Sequence, residues 1–259
     1  MKQLVALAAT VSASMMLTTT YAAAPADAPQ KPRTIVVWSE GTAPKNVFPN
    51  DINAAIVEGL KADKRFEKDT IIAASINDPD QGINDELLAK TDVLLWWGHK
   101  KHGQVTDALT AKIKQRWMDG KMGFIGLHSA HFAKPNKALM GTACSFSCYK
   151  GDSTTTKVTI TDKTHPITEG VAETFTVENS ERYGDPYIVP EGYKSMFDGL
   201  STLKDGKTDN AKMGFAWESV NGSKSRFFYF QLGHETNPIY FDTNVRKIIA
   251  NATLWVMPK

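Results

Sequence analysis

The stretch Met122-Gly-Phe-Ile-Gly-Leu-His-Ser-Ala-His131 decides how the chain reads. Its apolar residues run without alternation, as in a strand covered on both faces, and a helical segment precedes it. Gly126 permits a sharp exit, so His128 and His131 arrive just past the strand's carboxyl end. Open α/β sheets bind ligands at that edge. The three-residue spacing also carries meaning, because on a helix it sets both imidazoles on one face, within reach of one metal ion or one sugar.

Outward from this strand, the first half of the chain alternates strand and helix. Thr34 to Trp38 reads as a buried strand that ends at Ser39-Glu40-Gly41, and Ile52, Ala55, Ile56 and Leu60 follow at helical spacing. Thr70 to Ala74 is a second strand and Ile83 to Lys90 a short helix. Asp92 to Trp97 is a third buried strand, which runs into Gly98-His99-Lys100-Lys101-His102, and Thr106 to Asp119 is an amphipathic helix. Such alternation predicts an α/β fold, a flavodoxin-like doubly wound parallel sheet. Right-handed crossovers bring the strand ends to one edge, which collects Glu40, His99, His102, His128 and His131.

Beyond Met140 the pattern changes. Half-exposed strands at 155–162, 175–179 and 215–219, separated by loops, predict an inserted antiparallel β region over roughly 150–222. The chain returns to type at Arg226 to Phe230, a buried strand followed by Gly233-His234-Glu235, and closes with a helix over 244–255. Three strand ends therefore carry a glycine and then histidine, and only His165, in a Thr-His-Pro turn, stands apart. That concentration points to a site at the sheet edge.

Composition narrows the class. A chain of 259 residues with 42% hydrophobic residues can bury a sizeable core, and a net charge of +2 with scattered basic residues gives no case for nucleic acid. Lys2, the apolar run from Leu4 to Leu17 and the small residues before Pro25 form a secretory signal peptide over residues 1–22. Cleavage after Ala22 avoids placing Pro25 directly behind the cut. The run is short and rich in Ser and Thr for a membrane anchor, and no later segment is apolar enough to span. Residues 23–33 then form a flexible leader, residues 34–259 a single domain, and the protein is expected to be secreted or periplasmic. Cys144 and Cys148 do not match zinc-knuckle or thioredoxin-type spacing; a small disulfide loop and two free thiols both remain open.

As an ordered set, Trp96-Trp97-Gly98-His99 with His102, Leu127-His128-Ser129-Ala130-His131, Met140-Gly-Thr with Cys144-Ser, His165-Pro-Ile, Glu181 with Tyr183-Gly184, and Gly233-His234-Glu235-Thr236 resemble the ThuA-like (trehalose utilisation) family. That family lies within the class I glutamine amidotransferase-like superfamily. The resemblance implies carbohydrate metabolism, in pathways where glycosides are oxidised to keto-sugars. It also sets His128 where the amidotransferases carry their cysteine nucleophile. Imidazole is a poor substitute for a thiolate, which argues against glutaminase chemistry. Pro49-Asn-Asp-Ile-Asn53, Phe146-Ser-Cys-Tyr-Lys150 and Gln231-Leu232 depart from the family's usual residues.

Neutral imidazoles beside carboxylates suit zinc or another divalent transition ion. The expected ligands come from His99, His128, His131 and His234, with His128, Glu181 and Glu235 as catalytic groups. Glu40, Trp97, His102 and Tyr183 are the expected substrate-binding residues. The competing account needs no metal: the histidines, with Trp96, Trp97 and Tyr183, bind a sugar by hydrogen bonds and stacking. The expected partner is a small carbohydrate, with the oligomeric state left open.

Overall fold

The apolar runs at 34–39, 93–97 and 123–127 become strands because both of their faces are covered, leaving almost every residue in them fully buried. The computed structural model describes residues 31–259, so the signal peptide and most of the leader lie outside the described residues. In chain order the elements are β1 (Thr34–Ser39), α1 (Asp51–Ala62), β2 (Thr70–Ser75), α2 (Asp85–Lys90), β3 (Val93–Trp97), α3 (Asp107–Met118), β4 (Gly123–Leu127) and α4 (Lys134–Met140). Then follow β5 (Cys148–Lys150), β6 (Ser153–Ile160), β7 (Thr174–Glu178), β8 (Arg182–Gly184), β9 (Lys194–Leu203), β10 (Thr208–Trp217), β11 (Phe227–Phe230) and α5 (Thr243–Trp255).

Strand order in the main sheet is β2-β1-β3-β4-β11-β10-β9-β6-β7. The first five strands are parallel, in the doubly wound order that places ligands at the carboxyl edge. Helices cover both faces. α1 and α5 pack with Ile35, Val37, Leu95 and Ile125 on one side, while Leu109, Ile113 and Trp117 of α3 pack with Val36, Leu94 and Phe124 on the other. Burying each large aliphatic side chain of this kind contributes roughly 1.5–3 kcal/mol. Local signals set the helix starts: Thr106 Oγ1 accepts from Leu109 N at 3.2 Å, and Asp242 Oδ1 accepts from Asn244 N at 2.8 Å.

The antiparallel region lies between α4 and β11 in sequence, as expected, and most of its strands join the main sheet. β10 pairs with β11, and β9, β6 and β7 extend outward from it, so the region continues the main sheet. The cause is the free edge of β11, whose unpaired backbone groups need a partner. β9 was not evident in the sequence because Ser195, Asp198, Gly199 and Ser201 interrupt its apolar alternation. Among the described residues only β5 and β8 pair apart from the main sheet. Cys144 and Cys148 are both free thiols, which decides between the two readings of the pair.

Residues 32–259 make one compact unit. Among the described residues no helix is long and apolar enough to cross a membrane.

Candidate functional site

Four neighbouring parallel strands, β1, β3, β4 and β11, each release a polar residue at their carboxyl ends: Glu40, His99, His128 and His234. His99, His128, His234 and Glu235 converge, each offering one ligand atom, with all four atoms within 4.8 Å of one another. The imidazole centroids are 5.3 Å apart for His99 and His128, 4.8 Å for His99 and His234, and 5.4 Å for His128 and His234.

His128 stands at an elbow. Its φ of 54° lies in the left-handed region, unusual for a side-chain-bearing residue, and it follows β4 directly. Such a turn costs on the order of 1–3 kcal/mol and persists only where surroundings hold it. Here Tyr229 Oη donates to the His128 carbonyl at 2.7 Å, and His128 Nδ1 lies 3.3 Å from the Gln231 carbonyl. Gly126 is required two residues earlier, because a Cβ there would lie 2.6 Å from Asn136 Oδ1.

Opposite the elbow, Glu181 Oε2 lies 3.2 Å from His128 Nε2 and accepts from Tyr183 Oη at 3.0 Å. Burial alone would raise the Glu181 carboxyl, but the hydrogen bond and charge of His128 outweigh it and hold the pKa at about 2. On the other flank, His99 Nδ1 lies 2.6 Å from Glu235 Oε2, and Lys100 Nζ pairs with Glu235 Oε1. Burial tends to lower His99, yet the Glu235 hydrogen bond and charge leave it above its ordinary value. Glu235 itself, despite burial, is held well below the usual carboxylate range by His99 and Lys100. His234 is lowered, chiefly by burial.

The donor set fits a divalent transition ion in type and spacing, with three imidazoles and a carboxylate. His128 Nε2 and Glu181 Oε2 face each other at 3.2 Å, within hydrogen-bond distance. Glu235 on His99 Nδ1 leaves Nε2 as the ligating atom, the usual way a carboxylate orients a metal-bound imidazole.

The structure separates the other expected residues from this group. His131 is fully buried among Phe132, Phe146, Tyr149 and Tyr183, with Nδ1 at 3.1 Å from Tyr229 Oη. The left-handed turn at His128 breaks the shared helical face that the spacing suggested. His102 parts from His99 for a similar reason, since the short helix begins only at His102. It faces Glu40, with Nδ1 at 3.6 Å from Glu40 Oε1.

Glu40 is fully buried, and its Oε2 accepts from the backbone N–H groups of Lys100 and Lys101 at 2.6 and 2.9 Å. It therefore holds the loop that carries His99.

Trp96 and Trp97 offer no surface for sugar stacking, because both rings are fully buried. Trp97 Nε1 donates to the Gly233 carbonyl at 2.9 Å and its ring lies parallel to His128, so it supports the site from behind. Tyr183 is also buried, and its hydroxyl bridges Ser129, His128 and Glu181. Lys100, Gln231 and Tyr229 were not expected at the site. Lys100 directly follows His99 in sequence, whereas the other two sit within or just after an apolar run that reads as core.

The family model for ThuA, trehalose utilisation, matches residues 34–256. No match was found among curated protein sequences. Solved structures with the same fold include a putative ThuA-like protein from Bacteroides uniformis, 14% identical, covering 90% of this chain and 95% of that one at a TM-score of 0.60. A second putative ThuA-like protein, from Parabacteroides merdae, is 12% identical over 87% of this chain and 90% of that one, with a TM-score of 0.62. A glutamine amidotransferase from Thermotoga maritima is 11% identical over 87% and 97% of the two chains, with a TM-score of 0.52. At such identities the likeness is one of fold, while the family match covers nearly all the described residues. The chain belongs to the ThuA, trehalose utilisation, family.

Proposed function

We propose that this chain is an exported, metal-dependent enzyme acting on keto-glycosides by proton abstraction beside the carbonyl, leading to isomerisation or elimination of the glycosidic bond. Family membership supports a carbohydrate-related role. The observation that carries the finer reading is the convergence of His99, His128, His234 and Glu235 beside a second carboxylate, Glu181.

An ion such as zinc, held by the three imidazoles, would supply polarisation of the substrate carbonyl. Glu181, held ionised by a pKa of about 2, is the base on the opposite side. Tyr183 Oη, 3.0 Å from the same carboxylate oxygen, aims it. Glu235 fixes the orientation of His99, and Glu40 fixes its loop. A low pKa makes Glu181 a weak base, so proton transfer depends on close placement and on acidification of the carbon beside the carbonyl. Export rests on the signal sequence, and amino-terminal sequencing of the secreted protein should begin at Ala23.

The test is elemental analysis of the purified mature protein, repeated on His128→Ala, followed by turnover of keto-glycosides. A stoichiometric transition metal that is lost in the variant, together with turnover, is the expected result. A wild type that stays metal-free after reconstitution sinks the metal-dependent reading.

One observation favours a second reading, a sugar-binding module without a metal. His234 Nδ1 lies 3.2 Å from the Thr236 N–H and 2.8 Å from the Thr236 hydroxyl, which leaves Nε2 to meet a sugar hydroxyl. Sugar binding by metal-free protein, without turnover, would decide for it.

A further inference from the structure

The main sheet ends in β2 on one side and β7 on the other, and the two edges are finished differently. At β2 a turn covers the edge. Ser75 N–H donates to Asp78 Oδ2 at 2.8 Å, Asp78 N–H donates to the Ser75 carbonyl at 3.1 Å, and Gly82 packs so closely that a Cβ there would lie 2.7 Å from the Ser75 backbone. Among the described residues β7 has no such cover.

The bonds at the two ends of β7 show which of its groups face outward. Ile160 N–H donates to the Glu173 carbonyl at 3.0 Å and Asn179 N–H to the Thr154 carbonyl at 2.8 Å, so Phe175 and Val177 between them turn their backbone groups to β6. Thr174, Thr176 and Glu178 turn theirs away from the sheet, and their side chains are exposed. Native edges are blunted by a lysine, a proline or a bulge. None interrupts Thr174-Phe-Thr-Val177, and the pairing with β6 keeps an unbroken register.

We propose that β7 pairs antiparallel with β7 of a second copy of this chain, about a two-fold axis at Thr176, joining two sheets into one. The inference is independent of the chemistry proposed for the histidine site.

Register and charge select that occupant. With Thr176 opposite the partner's Thr176, Thr174 meets the partner's Glu178, and each outward residue exchanges both backbone bonds with its opposite, about six in all. Phe175 and Val177, buried on the inner face, then adjoin the partner's Val177 and the partner's Phe175, which prolongs the apolar layer. A register centred on Glu178 would instead set like carboxylates against each other. Glu173 is paired with Lys163 Nζ at 2.6 Å, and Lys157, opposite Thr176, sits diagonal to Glu178. The edge is therefore balanced in charge and suits its own copy, where an unbalanced one would call for a polybasic or polyacidic strand.

Sedimentation velocity of the purified mature protein tests this. Wild type should have twice the monomer mass at roughly 100 µM and dissociate on dilution toward about 1 µM, as befits a short, polar interface. Thr176→Pro removes an N–H that faces outward, so the ladder with β6 stays whole while the central pair loses both donors. Thr176→Lys keeps the backbone and sets two ammonium groups face to face on the axis, which guards against misfolding of the proline variant. Each should weaken self-association about tenfold or more, with the far-ultraviolet circular dichroism unchanged. Ala73→Lys, at an exposed position on the opposite edge, should leave the dimer intact. A wild type that stays monomeric at roughly 100 µM, a dimer that persists in both Thr176 variants, or one that Ala73→Lys dissolves overturns the proposal.

Discussion

His99 Nδ1 lies 2.6 Å from Oε2 of Glu235, so a ring delivered by β3 is oriented by a carboxylate delivered after β11. The carboxylate is fully buried, and a buried charge is tolerated only when paired, here by His99 and Lys100. Glu235→Gln keeps the shape and removes the charge. It should weaken zinc affinity by about 10–100-fold, the usual effect of losing an orienting carboxylate. Competition titration with a chromogenic chelator measures this, and an unchanged affinity would remove Glu235 from the metal assembly.

Glu40 acts one step further back. Its Oε2 receives the N–H groups of Lys100 and Lys101, and Lys101 Nζ also reaches the Glu40 carbonyl at 3.0 Å. Glu40→Ala leaves two backbone donors without that acceptor, each costing roughly 1–3 kcal/mol if it stays buried. Glu40→Gln retains an acceptor oxygen and should cost markedly less. Urea unfolding of the two variants checks the ranking. Equal losses would show that the loop does not depend on this acceptor.

The elbow makes a sharper comparison. Because His128 holds φ at 54°, replacing it by alanine removes the imidazole but keeps the backbone strain, whereas glycine removes both. His128→Gly should therefore be more stable than His128→Ala by about 1 kcal/mol, with metal binding lost in both. Thermal melts at matched pH give the difference. If alanine is the more stable, the elbow is not strained.

Much of this was legible in the sequence, and each failure has its own physical cause. The unalternating runs ending at Trp97 and Leu127 revealed buried parallel strands because a doubly covered strand leaves no polar face. The glycine-then-histidine endings of β3, β4 and β11 likewise brought His99, His128 and His234 to one place. What misled was the three-residue spacing of His128 with His131. That rule holds only on a continuous helix, and here His128 itself takes a left-handed conformation. Trp97 was misread as a sugar platform because sequence shows its size and not the Gly233 carbonyl that anchors its nitrogen. Gln231 was hidden because a polar residue following an apolar strand gives no sign of whether it faces solvent or, as here, is buried with its amide on the Tyr183 carbonyl.

His131 gives a prediction at low pH. Enclosed by aromatic rings, it has its pKa lowered to about 3, with burial as the main cause. Its unfolded value is about 6.5. The unfolded chain therefore binds the proton first as pH falls, and stability is full above about 6.5 and declines as pH is lowered toward 3. Between pH 7 and pH 5 the loss from this residue amounts to about 2 kcal/mol. His102 and His234, also lowered by burial, contribute in the same direction, so the variant must isolate the effect. His131→Asn should be less stable than wild type at pH 7, yet its stability should fall less between pH 7 and pH 5, by about the same 2 kcal/mol. Denaturant midpoints at the two pH values supply the measurement. Parallel pH slopes for the two proteins would show that His131 does not remain neutral in the folded state.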